Sequence, residues 1–471
     1  MKHLHLALPC LLSLLPVLCI AQSDATFGKY ESFSEKRNEL RAVWKSPLQG
    51  YVVDLRERNT RVFHLTNTAC WLDKEIVELA AEQMKYVRIR ADQQAVKVSS
   101  AQDASETLLV RLDGLPPSCD RAPDRSPLAA FDALDQSMLE LFAFFSERKV
   151  DWQKDVRAAR TALGREPSES AVYEAMTKLL TSLDDPHITL QAKVEGNDRR
   201  TIIGRGATLT QLRKAFESQS NIKSSAEFYR NWIQATQRAV SETSLNGKGR
   251  VALNNTAYWG ISQNANGDIG YVSMTGMSGF TRSGETEEDI EAVNSFFDEV
   301  ITACKSCKAI ILDLSQNRGG DDRVALAVAS RFADEPRVAF SKQAVSRNMK
   351  GDVQTFRLAP GAKARWTHPV VLVTDSVTVS AAEVLTLSMR VLPHVRHVGA
   401  TTRGALSDAL GKSLPNGWRF TLSNEIYKSA DGEIYEARGI PPTERRVVFD
   451  PENLFAGNAK LIGEIANAIR K

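Results

Sequence analysis

The chain of 471 residues is poor in cysteine, histidine and excess charge, and each shortage excludes a class of protein. A formal net charge of +3 gives no basic surface that would attract nucleic acid or an anionic membrane. Its 7 histidines include no pair with a spacing that favours a metal site. We therefore expect no nucleic-acid partner, no metal and no cofactor.

Long hydrophobic runs are also scarce. The one clear run, residues 6–20, follows Lys2 and ends before the small residue Ala21, a pattern typical of a secretory signal peptide. The run is short for a membrane span, and no later segment approaches the roughly 20 apolar residues that a spanning helix needs. Residues 1–21 are thus predicted to be a signal peptide of an exported, periplasmic or secreted protein, with no integral membrane segment after its removal.

Four cysteines remain beyond the predicted signal peptide: Cys70, Cys119, Cys304 and Cys307. In an oxidising compartment they can form two disulfides, Cys70 with Cys119 and Cys304 with Cys307, although the sequence alone does not fix the pairing. The C-x-x-C spacing of the second pair also suggests a redox motif. Its place after a helix and before a strand disfavours that interpretation, because activated thiols of this kind follow a strand and open a helix.

The pattern of the chain changes several times, and its hydrophobic content of 43% supports real cores. We expect a small β-rich domain over residues 22–122, in which His64 is an outward-facing strand residue. A helical module follows over 123–192, with an apolar face that includes Phe131, Leu134 and Met138. Next come a largely helical linker or lid over 193–266, an α/β core over 267–450, and a C-terminal helix over 451–471.

The core alternates strands with helices. The predicted strands cover 269–274, 309–314, 369–374 and 395–398, and the predicted helices cover 285–303, 321–332 and 381–392. This β-α alternation is typical of a mainly parallel sheet covered by helices.

Ser380 lies between a buried strand and a helix in the segment TDSVTVSAAE. The crevice beyond the carboxyl ends of parallel strands is a frequent ligand site, and a helix N-terminus offers free N–H groups. An oxyanion that forms beside Ser380 can therefore use the N–H of Ala381. The alternative is that Ser380 is only the N-cap of the helix, in a capping box with Glu383.

The segment 317–320, Asn-Arg-Gly-Gly, also follows a strand and precedes a helix. Its glycines permit a close backbone approach that a side chain would obstruct. A phosphate loop would need Lys and Ser or Thr after the glycines, whereas Asp321 and Asp322 supply negative charge. An oxyanion-binding role is favoured over a phosphate site, with a simple tight turn as the alternative.

The runs ILDLSQNRGGDD, SVTVSAAE, GATTRGALSD and EARGIPP, preceded by LDDPHITL, resemble in order and spacing the tail-specific or C-terminal processing proteases. The resemblance covers about residues 128–450. It implies an α/β, ClpP/crotonase-like parallel-sheet catalytic core in a serine peptidase that acts on polypeptides. A non-proteolytic binding protein for an apolar ligand or a protein partner on the same fold is the alternative.

The resemblance also implies site residues. Ser380 becomes the nucleophile, and the N–H of Ala381 with that of Gly319 or Gly320 becomes the oxyanion hole. Many members use a lysine base in a position that holds Ala405 here, which makes Lys412 an alternative base. The sequence is more similar to the branch of the tricorn core and the interphotoreceptor retinoid-binding protein repeats, which implies His187 as base and Glu436 as supporting acid. The resemblance leaves the oligomeric state open.

Overall fold

The computed structural model describes residues 27–73, 75–76, 83–218, 224–263, 267–361 and 363–470. The predicted signal peptide lies outside this part. Within it, no helix is both long and apolar enough to cross a membrane.

The N-terminal part is a small antiparallel sheet domain. Its elements are β1 (Glu31–Ser32), α1 (Phe33–Lys36), β2 (Val43–Ser46), β3 (Tyr51–Asp54), β4 (Arg61–Leu65), β5 (Cys70–Asp73), β6 (Tyr86–Ile89), β7 (Ala95–Ser99) and β8 (Thr107–Leu112). The eight strands run in the order β1-β6-β7-β8-β2-β3-β4-β5. Buried aliphatic and aromatic residues on one face form a core of their own. The expected β-rich domain is present, with strands β1, β2 and β5 in addition to those predicted.

His64 does not face outward, so that prediction was wrong. The residue is 0% exposed, and its Nε2 lies 2.9 Å from Asp73 Oδ2. Its ring stacks on Trp71, and Ser413 N donates to Nε2 at 3.3 Å. The strand pattern alone does not reveal that a second sheet from the end of the chain covers this face.

Three helices follow and pack together: α2 (Pro127–Leu141), α3 (Trp152–Leu163) and α4 (Glu169–Thr181). Each begins after a residue whose side chain accepts a backbone N–H of the first turn; for α4 this is Ser168, which accepts from Ala171 N. The predicted apolar stripe of α2 lies in the core that these helices share with later strands. The helical module therefore forms as expected.

Residues 189–263 are less helical than predicted. They form β9 (Thr189–Val194), β10 (Asn197–Ile202), α5 (Gly206–Glu217), α6 (Ser225–Ser244), β11 (Arg250–Ala252) and β12 (Ala257–Ser262). The two helices match the expectation, whereas the β9–β10 hairpin and the last two strands were not predicted. Strand β12 pairs antiparallel with the first strand of the core, so this segment is an integral part of the core sheet.

The core begins with β13 (Ile269–Met274), α7 (Thr286–Ala303), β14 (Ala309–Asp313) and α8 (Asp322–Ser330). After an excursion through β15 (Arg337–Ser346), β16 (Met349–Lys350) and β17 (Gln354–Leu358), it resumes with β18 (Val370–Thr374), α9 (Ala381–Arg390) and β19 (Val395–Gly399). The remaining elements are β20 (Ala409–Ser413), β21 (Arg419–Ser423), β22 (Glu425–Ser429), β23 (Glu444–Arg445) and α10 (Ala459–Arg470).

The central sheet has the order β11-β12-β13-β14-β18-β19-β23, with parallel pairing from β13 to β23. Successive residues along its strands face opposite sides of the sheet and belong to two different hydrophobic cores. Ile310 and Leu312 pack towards α7, α8 and α9, while Ala309 and Ile311 pack towards α6 and α10. The predicted α/β class with a mainly parallel, helix-covered sheet is confirmed.

Two smaller sheets complete the molecule. Strands β10-β9-β21-β20 join the helical module to the end of the chain, and β15 pairs with β16, β17 and β22.

The C-terminal helix starts later than predicted: residues 454–456 form a single 3-10 turn, and Gly457 interrupts it with φ 67° before α10. A positive φ is incompatible with a continuous helix, which explains the difference.

Candidate active site

Ser380 lies at a sharp turn between β18 and α9. It has φ 61° and ψ −131°, which a non-glycine residue adopts only when its surroundings hold it there. Glu383, at the third position of α9, accepts a hydrogen bond from Ser380 N at 3.3 Å, as in a capping box. Ser380 is partly exposed, so the helix-cap geometry and an accessible nucleophile are compatible.

Gly319 packs directly against this turn. A Cβ atom on Gly319 would lie 2.6 Å from Ser380 Cβ and 2.7 Å from Val379 O, and the residue has φ 81°. A Cβ on Gly320 would lie 2.5 Å from Met277 C. Both positions thus need glycine for steric reasons, and the loop after β14 meets the loop after β18 at the carboxyl edge of the sheet.

The backbone amides around Ser380 differ in their partners. The N–H of Gly319 donates to Asn317 Oδ1 at 2.9 Å. Within the described residues, the N–H groups of Gly320 and Ala381 have no protein acceptor. Of the predicted oxyanion donors, Gly320 and Ala381 are therefore the two that stay free.

Glu383 connects the nucleophile turn to the segment 402–405. Its buried carboxylate accepts hydrogen bonds from Thr402 Oγ1 at 2.6 Å and from Gly404 N and Ala405 N, both at 2.8 Å. Ser380 N also donates to Ala405 O at 2.9 Å. Burial raises the pKa of Glu383, while these donors oppose that change. A single carboxylate thus binds the backbone of Ser380 and the backbone of the neighbouring segment 404–405.

His187 follows helix α4 in the segment LDDPHITL. The backbone N–H of His187 donates to Asp185 Oδ1 at 2.9 Å, and its backbone carbonyl accepts from Thr421 Oγ1 at 2.5 Å. Its Nδ1 is buried without a hydrogen-bond partner in the described chain. Burial lowers the pKa of His187, and the positive charges of Arg148 and Arg403 act in the same direction.

Asp185 and Asp408 oppose this effect, because their negative charges raise the pKa of His187. The net direction is a lowered pKa, so the imidazole is neutral near pH 7 and able to accept a proton. No hydrogen bond joins His187 and Ser380 among the residues described here.

Arg148, in the loop after α2, joins several parts of the site. Its side chain is 3% exposed, and it donates to Asp184 O at 2.7 Å and to Leu183 O at 3.1 Å. Its other terminal nitrogen lies 2.8 Å from Glu436 Oε1 and 3.4 Å from Asp185 Oδ2. This guanidinium ties the loop that contains His187 to Glu436.

The Glu436 carboxylate is buried and accepts hydrogen bonds from Leu406 N at 2.8 Å and Ser407 N at 3.2 Å, besides Arg148. Burial and the nearby charge of Asp185 raise the pKa of Glu436, while the positive charge of Arg148 and the hydrogen bond from Leu406 N oppose this change. None of its hydrogen bonds goes to His187. Glu436 therefore hydrogen-bonds to Arg148 and to the backbone of the segment after Ala405.

Lys412 lies on strand β20, and its ammonium is directed to the N-terminal domain. Its Nζ donates to Gln49 O and Gly50 O, both at 2.9 Å, and lies 4.1 Å from the centre of the Tyr51 ring. Burial lowers its pKa to about 7. The side chain therefore contributes to the contact between two domains.

The four cysteines are paired as Cys70–Cys119 and Cys304–Cys307. Cys304 is 0% and Cys307 9% exposed, which leaves little access for thiol exchange and agrees with a structural role. Among the described residues, no group of three or more His, Cys, Asp or Glu side chains is arranged to hold a metal ion.

The structure thus adds functional residues that the sequence did not single out. Arg148 is in a loop with no motif, and Asp408 is recognisable only through its electrostatic effect on His187. Asn317 and Asp185 stand within quoted motifs, but nothing in the sequence reveals that their side chains bind backbone amides of the site. For Glu383, the capping box predicts the hydrogen bond from Ser380 N but not those from Gly404 N and Ala405 N.

A serine at a strained strand-to-helix turn, with two free amides beside it, is the arrangement that serine hydrolases use to bind an oxyanion. The comparisons make this class specific. Residues 268–445 match the model of Peptidase family S41. The predicted resemblance to the C-terminal processing proteases is confirmed.

A curated relative is the carboxy-terminal processing protease CtpA of Bacillus subtilis strain 168, which is 26% identical over 181 residues. The match covers 38% of this chain and 35% of that protein, so the chain spans about a third of the relative.

Solved structures show the same fold over a longer stretch. A candidate peptidase from Parabacteroides merdae ATCC 43184 has a TM-score of 0.56 at 21% identity, with 74% of this chain and 97% of that chain covered. Mature CPAF has a TM-score of 0.53 at 12% identity, with 73% and 97% covered. At these identities the likeness concerns the fold alone.

Proposed function

We propose that this protein is a serine-type endopeptidase that hydrolyses polypeptides with Ser380 as nucleophile and His187 as general base. One observation carries the proposal: Ser380 sits in a strained turn against Gly319, with the free amides of Gly320 and Ala381 at the start of α9. The match of residues 268–445, which include Ser380, to the model of Peptidase family S41 supports it.

In the proposed reaction, Ser380 Oγ attacks the scissile carbonyl carbon while His187 accepts the hydroxyl proton. The carbonyl oxygen becomes an oxyanion that accepts hydrogen bonds from Gly320 N and Ala381 N. His187 then gives the proton to the leaving amine, and the C–N bond breaks. A water molecule, deprotonated by His187, hydrolyses the acyl-enzyme and restores Ser380.

Ser380 and His187 are not hydrogen-bonded to each other in the structure, whereas a catalytic pair needs this hydrogen bond during the reaction. Catalytic hydrogen bonds are often long before substrate binds and shorten in the complex. Arg148 and Glu436 would define how closely the loop of His187 approaches the loop after Ala405, since Arg148 contacts the first segment, Glu436 contacts the second, and the two side chains contact each other. Glu436 would thus support the site by positioning rather than by direct contact with the base.

Lys412 is the weaker candidate for the base. An uncharged amine is needed for proton abstraction, and burial does lower its pKa to about 7. However, the Nζ donates to two carbonyls of the N-terminal domain. We infer that it holds that domain on the core.

The proposed substrates are polypeptides, in keeping with the peptidase family. We further propose an exported protein, periplasmic or secreted, divided as the sequence suggests into an N-terminal β domain, a helical module, a linking segment and the peptidase core. Two disulfides support an oxidising compartment, because cytosolic proteins rarely keep them.

The direct test is digestion of an unfolded protein, casein, by the purified protein and by its Ser380→Ala and Ser388→Ala variants. Ser388 lies two turns further along α9, where its Oγ donates to Val384 O, so it controls for loss of a serine in the same helix. Cleavage that persists in Ser388→Ala and is absent in Ser380→Ala supports the proposal. Equal cleavage by both variants contradicts it, and no cleavage by the folded native protein favours a binding function.

A further inference from the structure

The loop after β14 is held by residues that lie outside the matched segment 268–445. We define this loop as residues 315–320, which include Gly319 and Gly320, and call it the glycine loop. Two elements contact it from beyond the match: α6, which precedes the segment, and Asn458, which follows it and directly precedes α10. The candidate site is thus in contact with parts of the chain that carry none of its motifs.

A buried carboxylate orders the start of the glycine loop. Asp313, the last residue of β14, is 2% exposed, and its Oδ1 accepts from Ser315 N at 2.9 Å. Its Oδ2 accepts from Tyr271 OH at 2.8 Å and from Asn458 Nδ2 at 2.6 Å. Asn458 Nδ2 also donates to Ser315 Oγ at 3.1 Å. One amide group thus contacts both Asp313 and the first side chain of the loop.

Asn458 is itself buried, at 1% exposure, and its backbone carbonyl accepts from Ile462 N at 3.1 Å in the first turn of α10. Its Oδ1 is buried and has no hydrogen-bond partner in the described chain. A buried polar atom without a partner lowers the stability of a fold. The contribution of this side chain therefore comes from the two hydrogen bonds that its Nδ2 donates.

Helix α6 holds the next residue of the loop. Tyr229 OH donates to Gln316 O at 2.9 Å, and Gln316 Nε2 donates to Thr236 Oγ1 at 3.2 Å. The segment before α10 approaches the same helix closely, because a Cβ on Gly457 would lie 2.8 Å from Thr236 Cα. Helices α6 and α10 also pack on each other. Ser315 and Gln316 are thus held by two neighbouring elements at once.

Asn317 connects these contacts to the nucleophile turn. Its Oδ1 accepts from Gly319 N at 2.9 Å, and its carbonyl accepts from Val379 N at 3.3 Å. The free amide of Gly320 follows in the chain. Oxyanion donors are effective because they are fixed before the charge develops, and a misplacement of about 1 Å can cost about 10²-fold in rate. A shift of Ser315 would therefore be passed along the loop to the Gly320 amide.

We propose that Asn458 is a positioning residue for the oxyanion hole, which makes the docking of the C-terminal helix α10 a condition for catalysis. Its hydrogen bonds to Asp313 and Ser315 hold the glycine loop so that the Gly320 amide faces the forming oxyanion. Asn458 contacts no reacting atom. The inference rests on the proposed peptidase function for its catalytic readout, and it makes a separate claim about the order of the glycine loop.

The kinetic test compares Asn458→Ala with Ile465→Ala on a peptide that contains a casein site cleaved by the native protein. Ile465 is a buried residue of α10 in the core shared with α6, so its loss weakens helix docking and leaves Asn458 in place. We expect Asn458→Ala to lower kcat about tenfold or more with KM within about twofold, because an oxyanion donor acts in the transition state. Ile465→Ala should lower Tm and keep kcat within about twofold. Equal kcat values in the two folded variants would overturn the inference.

An exchange of donor and acceptor covers the case in which Asn458→Ala does not fold. Asn458→Asp places two carboxylates together and should lower kcat at least as much as Asn458→Ala. Adding Asp313→Asn restores a hydrogen bond of opposite direction, because the new amide can donate to the new carboxylate while its oxygen still accepts from Ser315 N. The double variant should recover kcat about tenfold over Asn458→Asp. A folded double variant without any recovery would contradict the inference.

Hydrogen–deuterium exchange separates this inference from the proposed function, because it needs no turnover. It is measured in the Ser380→Ala protein, with and without Asn458→Ala or Ile465→Ala. The amides of Ser315, Asn317 and Gly319 donate within the loop region and should exchange faster only when Asn458 is replaced. This result would support the role of Asn458 in ordering the loop even if the native protein cleaves no peptide. Unchanged exchange of these amides would refute it whatever the outcome for catalysis.

Discussion

The nucleophile side and the base side of the candidate site are held in different ways. On the nucleophile side, Ser380 is fixed by main-chain contacts with Gly319, Ala405 and the carboxylate of Glu383. On the base side, the loop of His187 is fixed by the buried ion pairs of Arg148 with Asp185 and Glu436. The first arrangement depends on shape and the second on charge.

This difference determines how each side should respond to change. A Cβ atom added to Gly319 would lie only 2.6 Å from Ser380 Cβ, so small substitutions should be severe there. Buried charges act on each other over longer distances, so changing one of them should shift a proton equilibrium as well as a position. Substitutions on the two sides should therefore give different kinds of defect.

The largest effect is expected for the base itself. His187→Ala should reduce kcat by about 10³-fold or more, because no other group would accept the proton of Ser380. Lys412→Met should leave kcat within about threefold and instead weaken the docking of the N-terminal domain, since Lys412 donates to Gln49 O and Gly50 O. Both variants are compared by casein cleavage and thermal unfolding. The reverse ranking in kcat would transfer the role of base to Lys412.

The next effect tests the shape of the nucleophile side. Gly319→Ala should reduce kcat about 10²-fold or more, because its Cβ would displace Ser380 or the free amides from their positions. The control is Gly417→Ala. Gly417 also has a positive φ, 92°, but its Cβ would meet nothing within 4 Å. Equal activity in the two variants would mean that the contact with Ser380 is unimportant.

A smaller effect is expected from Glu383→Gln. The carboxylate accepts from Thr402 Oγ1 and from three backbone amides, whereas a glutamine side chain has one acceptor oxygen and directs an NH₂ group at N–H donors. The free energy of unfolding should fall by about 2 kcal/mol, and kcat should fall about tenfold. Denaturant unfolding and casein cleavage measure the two quantities. An unchanged stability would show that the carboxylate does not fix the turn.

The smallest effect concerns charge on the base side and appears as a pH shift. Activity needs neutral His187, so kcat/KM should rise with pH through the pKa of this residue, which lies below its usual 6.5. Arg148 lowers that pKa and Asp408 raises it. Arg148→Gln should therefore move the acid limb of the pH profile to higher pH, and Asp408→Asn should move it to lower pH.

The two variants serve as controls for each other. A purely structural role for either residue would lower activity at every pH without moving the limb. Shifts of both profiles in the same direction would contradict the assignment of His187 as the titrating base.

The nucleophile side could be predicted from the sequence better than the base side, and the reason is physical. A buried strand, a helix start and two glycines are local patterns, and they placed Ser380, Gly319 and Gly320 at one edge of a parallel sheet. Arg148 and Glu436 are separated by 288 residues, and no local pattern indicates that their side chains meet. His187 and Glu436 entered the prediction only through the resemblance to a family.

The same limit explains the errors in the fold. His64 has the alternation of an exposed strand position, yet it is buried and contacts strand β20 from the far end of the chain. The residues of strand β12 were predicted to belong to a polar, largely helical region, but the strand extends the core sheet by pairing with β13. Burial by distant segments determines these positions, and a local reading of the sequence does not contain it.

The most direct measurement is covalent labelling with a fluorophosphonate, followed by intact mass and peptide mapping. The account predicts one adduct per chain, located on Ser380, that forms much more slowly in His187→Ala and at the native rate in Lys412→Met. The absence of an adduct on Ser380 in the folded native protein, or a rate that depends on Lys412 and not on His187, would contradict it.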